Sequence, residues 1–95
     1  MKASLTYDQG MYRLSGVLDF QSVVALRDQD IWSSGEPDID LANVTHSNSA
    51  GIALLLEWLK LAQQKGVQIK YHNLPESLGV IARAYGVDQA LPVTP

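Results

Sequence analysis

The sequence predicts an α/β fold, in which helices pack against a four-stranded mixed sheet and the elements follow the order β-β-α-β-α-β-α. Three observations lead to this prediction. Short segments that alternate apolar and polar residues indicate strands, and longer segments with apolar residues every three or four positions indicate helices. A turn signal joins the first two strands into a hairpin. Helices separate the later strands, so strands two, three and four should be parallel, with right-handed crossovers.

The hairpin is predicted from strands at residues 3–7 and 11–18, with a turn at residues 8–10. Gly10 suits this turn because glycine accepts the positive φ that tight hairpin turns require. Asp19 follows the second strand and is a suitable helix cap, because a carboxylate accepts hydrogen bonds from the free N–H groups of the first turn.

The first helix is predicted over residues 20–32 and the loop after it over residues 33–37. Pro37 closes this region, because proline has no N–H group and its ring clashes with a preceding helical turn. The apolar positions of this helix are Phe20, Val23, Val24, Ile31 and Trp32.

The rest of the chain is organised around the junction between the third strand, residues 38–41, and the second helix, residues 50–65. A loop rich in serine and asparagine joins them. Gly66 ends the helix, because glycine accepts the left-handed conformation of a C-terminal cap. The N-terminus of a helix after such a loop is a common functional site, because the free N–H groups and the helix dipole favour negative charge there.

The fourth strand is predicted over residues 67–71, which alternate regularly. The third helix begins near Pro75, a residue preferred at the first helical position, and ends at Gly86. Its apolar positions lie on one face: Leu78, Ile81, Ala82 and Tyr85. The tail, residues 87–95, is predicted to be irregular and to pack back on the domain.

The second helix carries two apolar stripes, whereas a helix packed on one sheet needs only one. The first is the core stripe, formed by Ile52, Leu55, Leu56 and Leu59. The second lies roughly 130° away at ~100° per residue and consists of Leu54, Trp58 and Leu61. Two explanations remain open. Either the third helix or the tail covers the second stripe, or it is a partner-binding face anchored by Trp58, since tryptophan is enriched at interface hot spots.

The loop before this helix is the second candidate site, which comprises Ser47, Asn48, Ser49, Ala50 and Gly51. Either Ser47 or Ser49 is expected to cap the helix, because hydroxyl groups satisfy its free N–H groups. A phosphate or a partner at this position is the functional alternative. A phosphate there would be favoured by the helix but would add about −2 charge to a docked surface, so the position suits a binding switch.

The remaining chemistry predicts no enzyme, no metal site and no cofactor. His46 and His72 lack the spacing of a helical metal pair, and the chain has no cysteine. Asp40, His46 and Ser49 are close in sequence, but a catalytic triad is defined by geometry rather than by sequence distance. No glycine-rich phosphate loop is present, because residues 48–51 are too short and lack its lysine.

The amino-acid composition limits the class of protein further. The 95 residues are 46% hydrophobic and 18% charged, as in a folded domain, so we expect one domain spanning residues 1–95. The net charge is −3 without any basic block, which argues against nucleic-acid binding. No segment approaches the ~20 apolar residues of a membrane span, and the N-terminus lacks an apolar signal core. We therefore expect a soluble, cytoplasmic protein.

Four segments resemble the STAS domain, the fold of anti-sigma factor antagonists and of the cytoplasmic tails of sulfate transporters. They are residues 14–19, the end of strand two; residues 38–44, in strand three; residues 48–52, in the loop; and Gly66 before strand four. The family loop usually reads Asp-Ser-Ser-Gly or Asp-Thr/Ser-Gly-Gly, followed by an apolar helix. The resemblance covers nearly the whole chain and implies the STAS fold.

Within the family, the chain is most similar to the MlaB group, the small STAS subunits of Mla phospholipid ABC transporters. Residues 14–19, 50–56 and 84–92 carry this similarity. It implies a non-catalytic subunit that binds an MlaF-like ATPase at the cytoplasmic face of the inner membrane and supports outer-membrane lipid asymmetry. Ser49 falls where transporter-type members carry an important hydroxyl group.

Two departures from the antagonist pattern affect the alternative function, a partner-switching regulator that binds an anti-sigma factor. Antagonists are phosphorylated on the second serine of Asp-Ser-Ser-Gly, and that position is Ala50 here. The preceding aspartate is Asn48. An antagonist-type switch at the usual position is therefore impossible, and this favours the transporter hypothesis.

Overall fold

The computed structural model describes residues 3–94. The strands and helices follow the predicted order: β1 (Ala3–Asp8), β2 (Met11–Leu18), α1 (Phe20–Arg27), β3 (Asp38–Ser47), α2 (Ser49–Lys65), β4 (Lys70–His72) and α3 (Glu76–Ala84). The predicted α/β class and the four-stranded mixed sheet are confirmed.

The sheet has the strand order β1-β2-β3-β4. β1 and β2 are antiparallel, whereas β2, β3 and β4 are parallel, as predicted. The hairpin turn places both Gln9 and Gly10 at positive φ, at 53° and 79°, which is the backbone of a type I′ turn. Right-handed crossovers between the parallel strands place α1 and α2 on the same face of the sheet, and α3 packs there beside α2. α2 lies between α1 and α3 and contacts both.

The two faces of the sheet differ in chemistry. The face under the helices is apolar and holds the core, with Leu14, Leu18, Ile39 and Leu41 completely buried. The opposite face is polar: Arg13 forms a 2.9 Å ion pair with Asp40, and His72 contacts Asp38 at 2.8 Å. The Asn73 amide donates to Asp40 at 3.0 Å and, with the Ala42 N–H and the Arg13 guanidinium, holds the pKa of that carboxyl below its ordinary value.

α1 is shorter than predicted and ends at Arg27. The next residues form a turn, in which the Asp30 carboxylate accepts hydrogen bonds from the backbone N–H groups of Trp32, at 2.8 Å, and of Ser33, at 3.2 Å. This local bonding competes with helix formation. Ile31 is nevertheless completely buried, so its apolar character reflects the core and not a helical face.

β3 is longer than predicted and β4 is shorter and shifted. β3 runs to Ser47 because its second half pairs with the end of β2, where Ser47 lies opposite Leu18. β4 begins only at Lys70, whose N–H donates to the Pro37 carbonyl at 3.0 Å. The strand reaches His72, one residue past the predicted end.

The described part of the tail packs back on the sheet, as predicted. Leu91 is buried in the core, and Val93 forms a parallel bridge with Tyr71. The N–H of Tyr71 donates to the Pro92 carbonyl at 3.0 Å, and the N–H of Thr94 donates to the Tyr71 carbonyl at 2.9 Å. The tail therefore covers the outer edge of β4. Residue 95 lies outside the described residues.

Candidate functional site

The predicted loop lies at the carboxyl end of β3, where α2 begins. Asn48 is the N-cap, because its side-chain oxygen accepts the N–H of Ala50 at 2.8 Å. The expectation that Ser47 or Ser49 caps the helix is therefore wrong. The Ser47 hydroxyl donates to the Asn48 carbonyl at 3.0 Å, and Ser49 is the first helical residue. Asn48 has this role because it is the extended residue directly before the first helical turn, from which its side chain reaches the N–H of Ala50.

The second half of the loop faces inward. Ala50 and Gly51 are buried at the start of α2. A Cβ atom on Gly51 would clash with the Ser47 hydroxyl and would lie 3.1 Å from Leu78 Cδ2 and 3.3 Å from Leu18 Cβ. Gly51 therefore lets α2 approach β2 and α3 closely. Of the five loop residues, Asn48 is exposed, and Ser47 and Ser49 are half-buried.

The second apolar stripe of α2 is not an exposed face. Trp58 has 0% and Leu54 3% of its surface exposed, and only Leu61 is half-buried at the margin of the core. Of the two explanations for this stripe, the partner-binding face anchored by Trp58 is wrong, because α2 is the middle helix of the layer and other elements of the domain cover Trp58 and Leu54. A partner contact at Leu61 stays a prediction.

Two polar groups are buried with α2 in this core. The Tyr71 hydroxyl donates to the carbonyl of Leu55 at 2.6 Å, and its burial raises the pKa of the phenol above the ordinary value. This bond joins β4 to the middle of α2. The indole N–H of Trp58 is buried among the described residues without a hydrogen-bond partner.

Large apolar side chains are exposed elsewhere in the described residues, and two of them lie together on α1. Phe20 has 67% and Val24 57% of its surface exposed. They are four residues apart and therefore share one side of the helix, whereas Leu26 on another side is buried. A phenylalanine and a valine side by side in water form a small apolar patch, which makes this side of α1 a candidate interaction site.

A groove of about 210 Å³ adjoins this patch and runs between α1 and α2. Its lining consists of Val23, Val24, Arg27, Ala53, Leu54 and Glu57. Ser49 lies one helical turn before Ala53, as Phe20 lies one turn before Val24. The loop and the groove are therefore continuous. We refer to Phe20, Val24, Ser49, Ala53 and the groove between them as the α1–α2 surface.

Comparison with known proteins decides the family. A family model described as "Mlab, STAS domain" matches residues 1–94. The chain belongs to the STAS domain family. A search of the curated proteins found no significant match. STAS domains mediate protein–protein interactions and are generally non-enzymatic. The predicted family is confirmed, and with it a regulatory or accessory type of function.

The residues considered for catalysis do not come together in this STAS domain. Asp40 and His46 are six positions apart on the extended β3, which corresponds to roughly 20 Å at ~3.3 Å per residue. Asp40 bonds Arg13 and Asn73 instead. Within residues 3–94 no group of three histidine, cysteine, aspartate or glutamate side chains is arranged to hold a metal ion. No helix in the same residues is long and apolar enough to cross a membrane.

The spacing of apolar residues in the sequence indicates the part of the α1–α2 surface that lies on α1. Phe20 and Val24 are four residues apart, and so define one line along α1, while Val23 and Leu26 define another. The sequence alone groups Phe20 and Val24 with the other apolar positions of the helix and does not show which line is exposed. α1 lies at the end of the helical layer and has a neighbouring helix on one side only. One of its two apolar lines is therefore left uncovered.

Proposed function

We propose that this STAS domain is a non-catalytic accessory subunit of an Mla-type ABC transporter. It binds the MlaF-like ATPase subunit and supports the phospholipid transport that maintains outer-membrane lipid asymmetry. Its place is the cytoplasmic face of the inner membrane, where it is held through its partner. The description of the matching family model supports this assignment within the family.

The α1–α2 surface is the observation that carries the proposal. Phe20 and Val24 supply an exposed apolar centre, and the groove beside them supplies a recess for a partner side chain. Arg27 and Glu57 lie at its margin. An apolar centre with a polar rim is the usual composition of a protein–protein interface, and buried aromatic anchors contribute most of the binding free energy.

The loop gives this surface a position at which charge would control binding. Ser49 is half-buried at the first position of α2, one turn from Ala53 in the groove. A carboxylate or a phosphate at Ser49 would be buried under any partner that covers the groove, at the cost of desolvating the charge. Ser49→Asp should therefore weaken binding of the ATPase without unfolding the domain.

The alternative function, an anti-sigma factor antagonist, has no comparable support. The usual phosphate-acceptor position of the antagonists is Ala50, which has no hydroxyl group and is buried under the start of α2. The function of such an antagonist depends on phosphorylation at that position.

The test is a pull-down of the tagged protein from detergent-solubilised membranes, with the bound proteins identified by mass spectrometry. Wild type should recover an ABC ATPase with its permease. Val24→Asp should reduce the recovered ATPase by about tenfold or more, the loss expected when a hot-spot contact of ~1.4 kcal/mol or more is removed.

Val80→Asp is the matched control, because Val80 on α3 is exposed to a similar degree, 52% against 57% for Val24. It should leave recovery of the ATPase unchanged. Equal losses in both variants would mean that the α1–α2 surface is not the docking site. Recovery of a kinase-like anti-sigma factor in place of the transporter would overturn the proposed function.

A further inference from the structure

The two outer strands of the sheet differ in how their free edges are covered. The tail covers the edge of β4 through its bonds to Tyr71, whereas no strand among residues 3–94 pairs with the outer edge of β1. β1 pairs with β2 over six consecutive residues without a register shift. It therefore presents a straight, regular edge.

The hairpin turn determines which groups point outward from β1. The two-residue turn is closed by the pair Asp8–Met11, and in such a hairpin the closing pair exchanges both main-chain hydrogen bonds. Alternate pairs then do the same, so Thr6 and Ser4 also bond to β2. The N–H and C=O groups of Leu5 and Tyr7 point to the free edge.

Within residues 3–8, this edge lacks the features that protect exposed strands. Natural edge strands carry lysine or proline, contain a bulge, or are covered by another segment. Residues 3–8 contain neither lysine nor proline, and their pairing is free of bulges. The only charge in this strand is Asp8, at its end.

A cavity of about 390 Å³ lies beside the start of β1. Ala3 and one flank of α1 line it: Asp19, Gln21, Ser22, Ala25, Leu26 and Gln29. A strand added to β1 would lie ~4.8 Å beyond it. Every second side chain of that strand would face the helical side of the sheet, where the cavity offers room for a small or apolar group.

Among residues 3–94, two carboxylates at this edge indicate which chemistry a bound segment should have. The carboxylates of Asp8 and Asp19 lie at opposite ends of the edge, Asp8 at the turn and Asp19 in the cavity beside Ala3. The N–H of Ser22 donates to Asp19 at 2.9 Å and lowers the pKa of a carboxyl that is ionised at neutral pH in any case. A second copy paired antiparallel would bring Asp8 of each copy towards Asp19 of the other, where like charges repel.

We propose that the free edge of β1 and the adjoining cavity bind an extended segment of another protein by strand addition. The segment alternates small or apolar residues with polar ones and carries lysine or arginine at both ends. Main-chain hydrogen bonds to Leu5 and Tyr7 supply affinity, and the cavity and the two carboxylates supply specificity. This site lies on the opposite flank of α1 from the groove, so it is independent of the proposed ATPase docking.

The test is selection from a phage-displayed library of random ten-residue peptides on the purified full chain. The recovered peptides should alternate in pattern and carry basic ends. One of them, synthesised and added to the protein, should slow hydrogen exchange at the Leu5 and Tyr7 amides. Ala25→Arg places a large cation in the cavity and should weaken this peptide by about tenfold or more, as expected when a recognition pocket is blocked.

Gln63→Arg is the matched control, because Gln63 is an exposed position on α2 away from the cavity. Asp8→Lys, at an exposed residue, is a second variant that should weaken the same peptide even if Ala25→Arg is poorly folded. Selection without an alternating, basic-ended consensus would overturn the proposal. So would unchanged exchange at Leu5 and Tyr7. A wild-type dimer in analytical ultracentrifugation that Asp8→Lys alters would assign the edge to a second copy instead.

Discussion

α1 and α2 carry similar apolar content but play opposite parts in the fold. α2 has two apolar stripes, and none of their residues is exposed: Ile52, Leu54, Leu55 and Trp58 are buried, and Leu56, Leu59 and Leu61 are half-buried. α1 has two apolar lines, and one of them, Phe20 and Val24, is largely exposed. The difference follows from position: α2 has a helix on either flank and the sheet beneath it, whereas α1 has a neighbouring helix on one flank only.

An apolar stripe on a helix therefore indicates that another segment covers it. The stripe does not show whether that segment belongs to the same chain or to another protein. On a helix in the middle of a layer, the second stripe is filled by neighbouring helices. On a helix at the end of a layer, the same pattern leaves a surface for another protein. The large residue that is typical of an interface hot spot, Trp58, is here a core residue.

Replacement of Trp58 should have the largest effect on the free energy of unfolding. Trp58→Ala removes a completely buried side chain and should lower the free energy of unfolding by about 3–5 kcal/mol, whereas Phe20→Ala should change it by less than about 1 kcal/mol. Urea unfolding followed by circular dichroism measures both. Equal effects of the two variants would contradict the assignment of Trp58 to the core.

Two glycines test how closely α2 is packed. Gly51→Ala forces a methyl group against Leu18 and Leu78 and should destabilise the protein by about 1–2 kcal/mol. Gly79→Ala on α3 is the control, because its Cβ would meet only Arg83 at 3.5 Å and Leu74 at 4.0 Å. It should stabilise the protein by about 0.5–1 kcal/mol through higher helix propensity. Thermal unfolding would show shifts of opposite sign, and shifts of one sign would contradict this account.

The starts of the two helices should respond differently to acid. Asp19 caps α1 in a capping box with Ser22, and the Ser22 N–H lowers the pKa of the Asp19 carboxyl. The contribution of the ionised Asp19 carboxylate to the stability of the folded protein is therefore present above about pH 4. It is lost as the pH falls through the lowered folded-state pKa of this carboxyl. Asn48 carries no charge, so the cap of α2 should persist.

NMR titration of the Ser22 and Ala50 amides measures this difference. The Ser22 amide should shift with a midpoint below the ordinary aspartate value, while the Ala50 amide should not follow the same transition. A midpoint at or above the ordinary value would contradict the cap as the cause of the lowered pKa.

The smallest effect on stability is expected on the exposed line of α1. Val24→Asp and Val80→Asp should each change the free energy of unfolding by no more than about 0.5 kcal/mol, since both positions are exposed. The same samples used for the pull-down can be unfolded in urea. A substantially larger loss in Val24→Asp alone would show that its binding defect comes from the fold, and would remove the contrast between the two helices.

Local chemistry made much of the fold predictable. Gly10 at the hairpin turn, Asp19 at the start of α1 and Gly66 at the end of α2 each have the predicted role. Each role depends on one residue and its immediate neighbours, so it can be recognised without knowledge of the rest of the chain.

The errors have two physical causes, pairing with a distant segment and local side-chain bonding that competes with a helix. The second half of β3 lacks regular alternation and becomes a strand because β2 lies alongside it. α1 ends early because Asp30 binds the backbone N–H groups of Trp32 and Ser33, a choice that helix periodicity does not reveal. The loop at Ser49 was predictable as a candidate site from its own residues, whereas its apolar neighbours on α1 are brought there by the packing of α1 against α2.

The two tryptophans lie in different environments, so their intrinsic fluorescence reports on two regions of the protein. Trp58 is sealed in the core, so its fluorescence responds to loss of the fold. Trp32 is only partly buried, and its ring lies 5.6 Å from the ammonium group of Lys65 at the end of α2, so it senses the loop after α1. In a Trp32→Phe variant, the emission spectrum comes from Trp58 alone. A partner that docks on α1 without disturbing the core would then leave that spectrum unchanged.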